Sequence, residues 1–211
     1  MAQRFKQADF DYLGMDISQD MLKIAAEKHP DSHFLQGDMR QFQLPDAMDS
    51  AIITARSLSY LVENSEVYDS FCSVFQNLKM GGLLVFDIID ANRFIPDIFQ
   101  GKEIRHTAHF KGKEYFRDSF LSVDFKAKSW TFNWLSKFYV KETAGDILLG
   151  TDDSTVRAFT KDDISLLLEM AGFEILAITD RRAYMFDTLV FVAIKTEKTS
   201  EKLRSSSCSN R

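Results

Sequence analysis

The stretch that decides the fold class is residues 12–28, YLGMDISQDMLKIAAEK. Its first six residues, 12–17, form a short apolar run ending in an acid, which is typical of a buried strand. Ser18 follows as a suitable N-cap for a helix that we expect to continue to about Lys28. The predicted apolar stripe of that helix consists of Met21, Ile24 and Ala25. A strand followed at once by a helix predicts a βα unit.

The same alternation continues downstream. We predict strands at residues 33–36 and 50–54, with a turn at 37–39 between them. Apolar residues at helical spacing predict a helix that ends at Gly81-Gly82. The residues of that apolar face are Val67, Phe71, Val74, Phe75 and Leu78. Residues 83–89, LLVFDII, have no polar alternation, as expected for a strand of a parallel sheet. The fold class is therefore α/β, with a doubly wound, mostly parallel sheet.

The chain divides into four predicted parts. Residues 1–101 form the Rossmann-like part, and residues 102–157 are rich in β-formers and aromatic residues, which predicts an antiparallel insertion. Residues 158–196 resume the α/β pattern and complete the sheet, with an N-cap at Thr160, a helix end at Gly172 and two strands at 174–179 and 188–195. Residues 197–211 have no apolar periodicity and are predicted to be a disordered tail.

Composition excludes several classes of protein. The 211 residues carry a formal net charge of −5, which argues against binding to duplex nucleic acid. The two cysteines, Cys72 and Cys208, are far apart in sequence, so no disulfide framework or Cys-x-x-Cys metal site is expected. No apolar run reaches the length of a membrane span, and the first residues lack a signal-peptide pattern. We expect a cytoplasmic protein without membrane or nucleic-acid partners, and self-association into a homo-oligomer stays open.

Two acids follow predicted strands at the edge where open α/β sheets bind ligands. Asp16 can accept hydrogen bonds from both hydroxyls of a ribose, or it can simply supply charge near the helix N-terminus. Asp38 can accept a bond from an adenine amino group while the backbone of Met39 reads the ring edge, or it can be a solvated turn residue. Taken singly, neither acid decides between these readings.

Together, however, the motifs resemble those of the class I S-adenosylmethionine-dependent methyltransferases. The resemblance rests on residues 14–22, 25–28, 34–39, 49–53 and 78–87, in that order, and extends through FTKDDI at 159–164 and LEMAGF at 168–173. It implies a cofactor, S-adenosylmethionine, and a methyl acceptor that is a small molecule. By position, Asp16 matches the family's ribose-binding acid, Ile17 flanks the adenine, and Asp38 with Met39 matches the adenine-binding pair. Residues 54–57, which include Ala55, match the segment beside the methionine half of the cofactor.

The chemistry of methyl transfer to an oxygen or nitrogen requires few catalytic side chains. Aligning the nucleophile, the methyl carbon and the sulfur supplies much of the acceleration. A hydroxyl acceptor would benefit from a base, for which the candidates are His106, His109 and Tyr115. The pair His106 and His109 has no third metal ligand, so no metal site is predicted.

The resemblance makes the insertion a lid over the acceptor pocket. Trp130, Trp134 and Tyr139 could line an apolar or cation-binding cavity there. Alternation along residues 130–138 makes packing within the small sheet an equally good interpretation.

One family element is not found among residues 1–11. The resemblance places a first strand and a Gly-rich turn before the helix that leads into Tyr12, with that strand lying between those at residues 12–17 and 50–54. Residues 2–8 look like the end of that helix, so we expect a shortened methyltransferase. The alternative is a non-catalytic or truncated methyltransferase-like protein with a binding or regulatory role. A nicotinamide-dependent dehydrogenase fits less well, because it needs the same turn and leaves Asp38 and Met39 unexplained.

Overall fold

A computed structural model describes residues 2–123, 129–182 and 188–196, so the predicted tail at 197–211 lies outside the described part of the chain. The helices are α1 (Ala2–Gln7), α2 (Gln19–Lys28), α3 (Asn64–Asn77), α4 (Ala91–Ile98) and α5 (Lys161–Ala171). The strands are β1 (Leu13–Asp16), β2 (His33–Gln36), β3 (Met48–Ile53), β4 (Leu78–Ile89), β5 (Lys102–Phe110), β6 (Lys113–Val123), β7 (Thr131–Glu142), β8 (Gly145–Arg157), β9 (Phe173–Arg181) and β10 (Thr188–Lys195). The α/β class is confirmed. The predicted caps Ser18, Thr160 and Gly172 are also confirmed.

The strands form three hydrogen-bonded sheets. β1 and β2 are a parallel pair. The main sheet has the order β3-β4-β10-β9, in which β3 and β4 are parallel and β10 is antiparallel to both of its neighbours. The third sheet, β5-β6-β7-β8, is an antiparallel meander. Within the described residues β1 pairs only with β2 and β3 only with β4, so the parallel strands are divided where the resemblance places a further strand.

The main core lies between the central strands and the helices α3 and α5. Phe86 of β4 stacks on Phe191 of β10 with ring centroids 5.2 Å apart, and Phe71 of α3 packs at the same distance from Phe86. On α5, Ile164 and Leu168 are fully buried against this cluster. These residues are the apolar faces that the sequence predicts, and they hold the carboxyl ends of β3 and β4 in place.

A second core joins the antiparallel sheet to the end of β4. It contains Phe94 of α4 and Phe132 of β7, whose rings lie 5.0 Å apart. Helix α4 was not predicted from the sequence, although the Asp90 side chain caps it by accepting a hydrogen bond from the Asn92 N–H. The helix is short and contains Pro96, which weakens a helical pattern.

One predicted boundary is wrong: α3 ends at Asn77, before Gly81-Gly82. Leu78 is already extended and begins β4, and the Lys195 ammonium donates to the carbonyl oxygens of Phe75 and Leu78 at 2.6 and 2.7 Å. A lysine on β10 therefore satisfies carbonyls at this helix end, where a glycine cap was expected. A Cβ on Gly82 would lie 2.8 Å from the Lys79 carbonyl oxygen, so this glycine serves the irregular start of β4.

Helix α2 forms as predicted, but its apolar stripe is not covered. Met21 is 56% exposed and Ile24 45%, and no residue of the helix is buried. In α3, by contrast, Val67 and Phe71 are fully buried. The same kind of pattern therefore has a packing partner in one helix and not in the other.

Candidate cofactor site

Asp16 ends β1, and its side chain is held by the turn into α2. Its Oδ1 accepts a hydrogen bond from the Ser18 N–H at 2.8 Å, and the Ser18 hydroxyl in turn accepts from the Met21 N–H. These bonds fix the carboxylate at the exposed strand end. Ile17 beside it is 65% exposed, so an apolar side chain stands next to a fixed acid.

The glycines next to these acids serve the packing of the protein itself. A Cβ on Gly14 would lie 2.7 Å from the Phe34 ring, and one on Gly37 would lie 2.7 Å from the sulfur of Met15. The Gly37 N–H donates to the Asp16 carbonyl oxygen at 3.1 Å. Both glycines therefore allow β1 and β2 to approach closely, which brings the ends of the two strands together.

Asp38 follows β2 and is engaged by Arg40. The Arg40 guanidinium donates to both carboxylate oxygens, with its Nη2 2.6 Å from Oδ2, and the Arg40 N–H donates to Oδ1. Its Nη1 donates to Glu66 on α3, also at 2.6 Å. The hydrogen bond from the Arg40 side chain holds the pKa of Asp38 below its usual value, against the opposing effect of burial. Arg40 was not predicted as a site residue, because an ion pair between residues 40 and 66 produces no local sequence pattern.

The loop after β3 has an unusual backbone. Ala55 and Arg56 both adopt left-handed conformations, with φ of 57° and 60°, which cost energy in residues with a Cβ. The Arg56 N–H donates to Oδ1 of Asp87 at 2.9 Å, and this bond links the loop to β4. Asp87 is 8% exposed and is the one acid in the apolar run at residues 83–89. It was not among the predicted site residues. Met39, the remaining predicted contact, is half-buried against the main core.

The candidate bases lie on the antiparallel sheet β5-β6-β7-β8. His106 and His109 are exposed on β5, and Nε2 of His109 lies 3.7 Å from a Glu114 carboxylate oxygen. Tyr115 is half-buried on β6. No described element brings these three next to Asp16 or Asp38, and their role as bases stays a prediction. The part of the chain that the structure describes holds no cluster of three or more metal-ligating side chains.

The aromatic residues predicted to line an acceptor cavity divide between two roles. Trp134 packs against the second core, and Tyr139 stacks on Phe116 with centroids 4.8 Å apart. These two belong to the packing of the sheet. Trp130 is 48% exposed and lines a cavity together with Arg157 and Asp163.

Comparison with known proteins identifies the fold. Residues 1–82 match the family described as "Methyltransferase domain". The structure superposes on Streptomyces venezuelae DesVI with a TM-score of 0.76 at 21% identity, covering 92% of this chain and 78% of that one. The fold is that of the class I S-adenosylmethionine-dependent methyltransferases. A methyltransferase of this class from Clostridium acetobutylicum gives a TM-score of 0.72 at 16% identity, over 87% of this chain and 74% of that one.

Sequence relatives match less than half of the chain. The putative methyltransferase YqeM of Bacillus subtilis is 38% identical over 89 residues, which are 40% of this chain and 36% of that protein. A Streptomyces venezuelae enzyme, dTDP-3-amino-3,4,6-trideoxy-alpha-D-glucopyranose N,N-dimethyltransferase, is 32% identical over 77 residues, 36% of this chain and 32% of that protein. The chain thus matches about a third of the length of these curated relatives. None of its described helices is long and apolar enough to cross a membrane.

Proposed function

We propose that this chain is the methyltransferase domain of an enzyme that transfers a methyl group from S-adenosylmethionine to an oxygen or nitrogen of a small molecule. The observation that carries this proposal is the arrangement of the strand ends. Asp16 ends β1, Asp38 follows β2, and the strained loop at residues 54–57 follows β3 within a methyltransferase fold. Ligands of open α/β sheets bind beyond the carboxyl ends of such strands.

The residues present fit the cofactor best at its ribose. Among the described residues, only Oδ1 of Asp16 accepts a backbone hydrogen bond, so Oδ2 is available for ribose hydroxyls. The exposed Ile17 is placed to cover the adenine. Asp38 is already bound by Arg40 through both oxygens. An adenine amino group that uses this carboxylate must therefore compete with the Arg40 guanidinium. Met39 and Ala55 complete the proposed contacts.

When bound, S-adenosylmethionine supplies an electrophilic methyl group on a sulfonium sulfur. The contribution of the chain is to position the reactants, since alignment for in-line displacement provides a large part of such an acceleration. The bond from the Arg56 N–H to Asp87 fixes the loop that faces the methionine half. An amine acceptor that binds unprotonated would need no base from the protein.

Calorimetric titration with S-adenosylhomocysteine tests the proposal. We expect saturable binding that Asp16→Asn weakens by about ten- to a hundredfold, because hydrogen bonds to a charged group contribute about 1.5–3 kcal/mol. Asp20→Asn is the matched control: Asp20 is an exposed acid on α2 that pairs with Lys23. Absence of binding, or equal losses in the two variants, would refute the proposal.

A second candidate function is a non-catalytic binding or regulatory role. One observation favours it: α2 has no buried residue, and β1 and β2 share no ladder with the main sheet in the described structure. Formation of S-adenosylhomocysteine from S-adenosylmethionine in the presence of an acceptor, abolished by Asp16→Asn, would exclude this role. Cofactor binding without turnover for any acceptor amine or hydroxyl would support it.

A further inference from the structure

The base of the lid contains a polar cavity of about 320 Å³, which we call the Arg157 cavity. It is lined by Glu63, Asn64, Ser129, Trp130, Arg157 and Asp163. Its volume lies at the small end of the range for small-molecule pockets, so it has room for a single ring. The cavity lies where the amino ends of α3 and α5 meet the last residue of β8.

Arg157 is the buried member of this set. It is only 3% exposed, and its guanidinium lies 4.6 Å from the centroid of the Phe159 ring. Nη1 donates to the Val62 carbonyl oxygen at 3.2 Å and Nη2 to the Asn64 side-chain oxygen at 2.7 Å. Its Nε is buried with no hydrogen-bond partner in the described structure. Because a guanidinium has five N–H groups, Arg157 holds a buried positive charge whose donors are only partly used.

The other polar groups of the cavity are chiefly acceptors. Glu63 and Asp163 are carboxylates that line the same cavity, and their charges raise the pKa of Arg157 against the stronger lowering effect of burial. Two carboxylates and one guanidinium leave a net negative charge at the site. Phosphate or carboxylate ligands are therefore disfavoured, whereas hydroxyl groups, which both donate and accept, and amines are favoured.

Trp130 provides an apolar wall at the mouth of the cavity. Its carbonyl oxygen accepts a hydrogen bond from the Ala158 N–H at 2.8 Å, which fixes its backbone beside Arg157. The indole is half-exposed and so offers a flat face to a ring. An aromatic face next to interleaved donors and acceptors suits a hydroxylated ring better than a purely apolar one.

The backbone connects this cavity to the proposed cofactor site. Glu63 and Asn64 follow the short 3-10 helix Ser57–Tyr60, which begins in the strained loop after β3. Phe159, two residues after Arg157, is bonded to the end of β4, where its N–H donates to the Ile89 carbonyl oxygen at 2.9 Å. The cavity is thus attached to the carboxyl ends of the two parallel strands β3 and β4.

We propose that the Arg157 cavity binds a saccharide ring, neutral or amino-bearing, and so selects the methyl acceptor. This inference rests on the proposed function, since it makes the saccharide the acceptor of the same reaction. Trp130 stacks on the ring, Arg157 donates to a ring oxygen or hydroxyl, and Glu63 and Asp163 accept from hydroxyl or amino groups.

Ligand-observed NMR titration of the whole chain with D-glucosamine, D-glucose and D-glucose 6-phosphate tests this proposal. We expect D-glucosamine to bind most tightly and D-glucose 6-phosphate at least about tenfold more weakly, because like charges at close range are unfavourable. Trp130→Ala should weaken D-glucosamine binding about five- to tenfold. Phe110→Ala, which removes an aromatic ring that is 62% exposed elsewhere on the lid, should leave that binding unchanged.

A carboxylate variant keeps the test informative if Trp130→Ala destabilises the lid. Asp163→Asn should reduce the preference for D-glucosamine over D-glucose several-fold, while the Thr160 cap of α5 is kept. The inference would be overturned if neither D-glucosamine nor D-glucose shows saturable binding. Tighter binding of D-glucose 6-phosphate than of these two sugars would also overturn it.

Titration with S-adenosylhomocysteine on the same samples separates this inference from the proposed function. If the cofactor product binds and the sugars do not, the inference falls and the function stands. If the sugars bind and Trp130→Ala weakens that binding while S-adenosylhomocysteine does not bind, the saccharide site is supported and the proposed function falls. Asp16→Asn should weaken S-adenosylhomocysteine alone, and Trp130→Ala should weaken the sugar alone.

Discussion

Helices α2 and α3 have similar amphipathic sequences and opposite surroundings. On α3, Val67 and Phe71 are completely buried against β4 and its neighbours, whereas Met21 and Ile24 on α2 remain about half-exposed. The α3 region shares the main core with α5 and the central strands. An apolar stripe therefore predicts that a helix forms. How much that helix contributes to stability depends on whether another element covers the stripe.

The segment that follows β2, residues 40–44, is bonded to α3 by polar groups. The Phe42 N–H donates to the Ser73 hydroxyl, the Leu44 N–H donates to the Asn77 side-chain oxygen, and Arg40 pairs with Glu66. All three bonds end on α3. The proposed cofactor edge therefore joins the strongly packed α3 region to a region whose helix, α2, has no buried residue.

The largest expected effect comes from truncating matched side chains in the two helices. Phe71→Ala should lower the free energy of unfolding by about 3–5 kcal/mol, because it leaves a cavity beside Phe86. Ile24→Ala should change it by less than about 0.5 kcal/mol, because Ile24 loses little buried area. Urea unfolding of both variants measures the difference. Similar losses would show that the α2 stripe is covered in solution.

Asn77→Ala should have an intermediate effect on stability, mainly at residues 41–44, which Asn77 bonds to α3. The Asn77 side chain accepts from the Leu44 N–H and donates to the carbonyl oxygens of Phe42 and Ser73, and all of these bonds are lost. We expect a loss of about 1–3 kcal/mol, together with faster amide exchange at residues 41–44. Gln76→Ala, at the exposed neighbouring position, is the control. Unchanged exchange at these amides would contradict the attachment described above.

The smallest expected effect is the pH dependence of the Arg40 cluster. The pKa of Asp38 is lowered in the folded protein, so the stabilisation it provides is complete above its unfolded pKa of about 3.9 and is lost as the pH falls through the folded value. Arg40→Gln should therefore cost more stability near neutral pH than near pH 3.

Urea unfolding across this pH range tests the expectation, with Lys23→Gln as the control for an exposed pair. A stability difference between wild type and Arg40→Gln that does not vary with pH would contradict it. By freeing Asp38, Arg40→Gln should also bind S-adenosylhomocysteine several-fold more tightly than the wild type.

The sequence was informative wherever local chemistry decides the structure. Ser18, Thr160 and Gly172 mark helix ends through caps that act within a few residues, and the predicted strand at 188–195 has the same bounds as β10. The end of α3 was misplaced because Lys195, more than a hundred residues away, satisfies the last carbonyls. A contact between residues so far apart in the chain produces no local sequence pattern.

The candidate site was predictable only in part, for the same reason. Asp16 lies at its predicted strand end, whereas the engagement of Asp38 by Arg40 and Glu66 depends on how β2 meets α3. The Arg157 cavity is assembled from four separate stretches of the chain, at residues 63–64, 129–130, 157 and 163. No spacing in the sequence indicates that these residues meet.

We propose that the β1 region and the well-packed β3 region form one cofactor site. Amide hydrogen exchange with and without S-adenosylhomocysteine tests it most directly. We expect bound ligand to slow exchange at residues 16–20 and at residues 54–58 together. Asp16→Asn should remove both effects at the same ligand concentration. Protection confined to one of these segments, or absent from both, would contradict it.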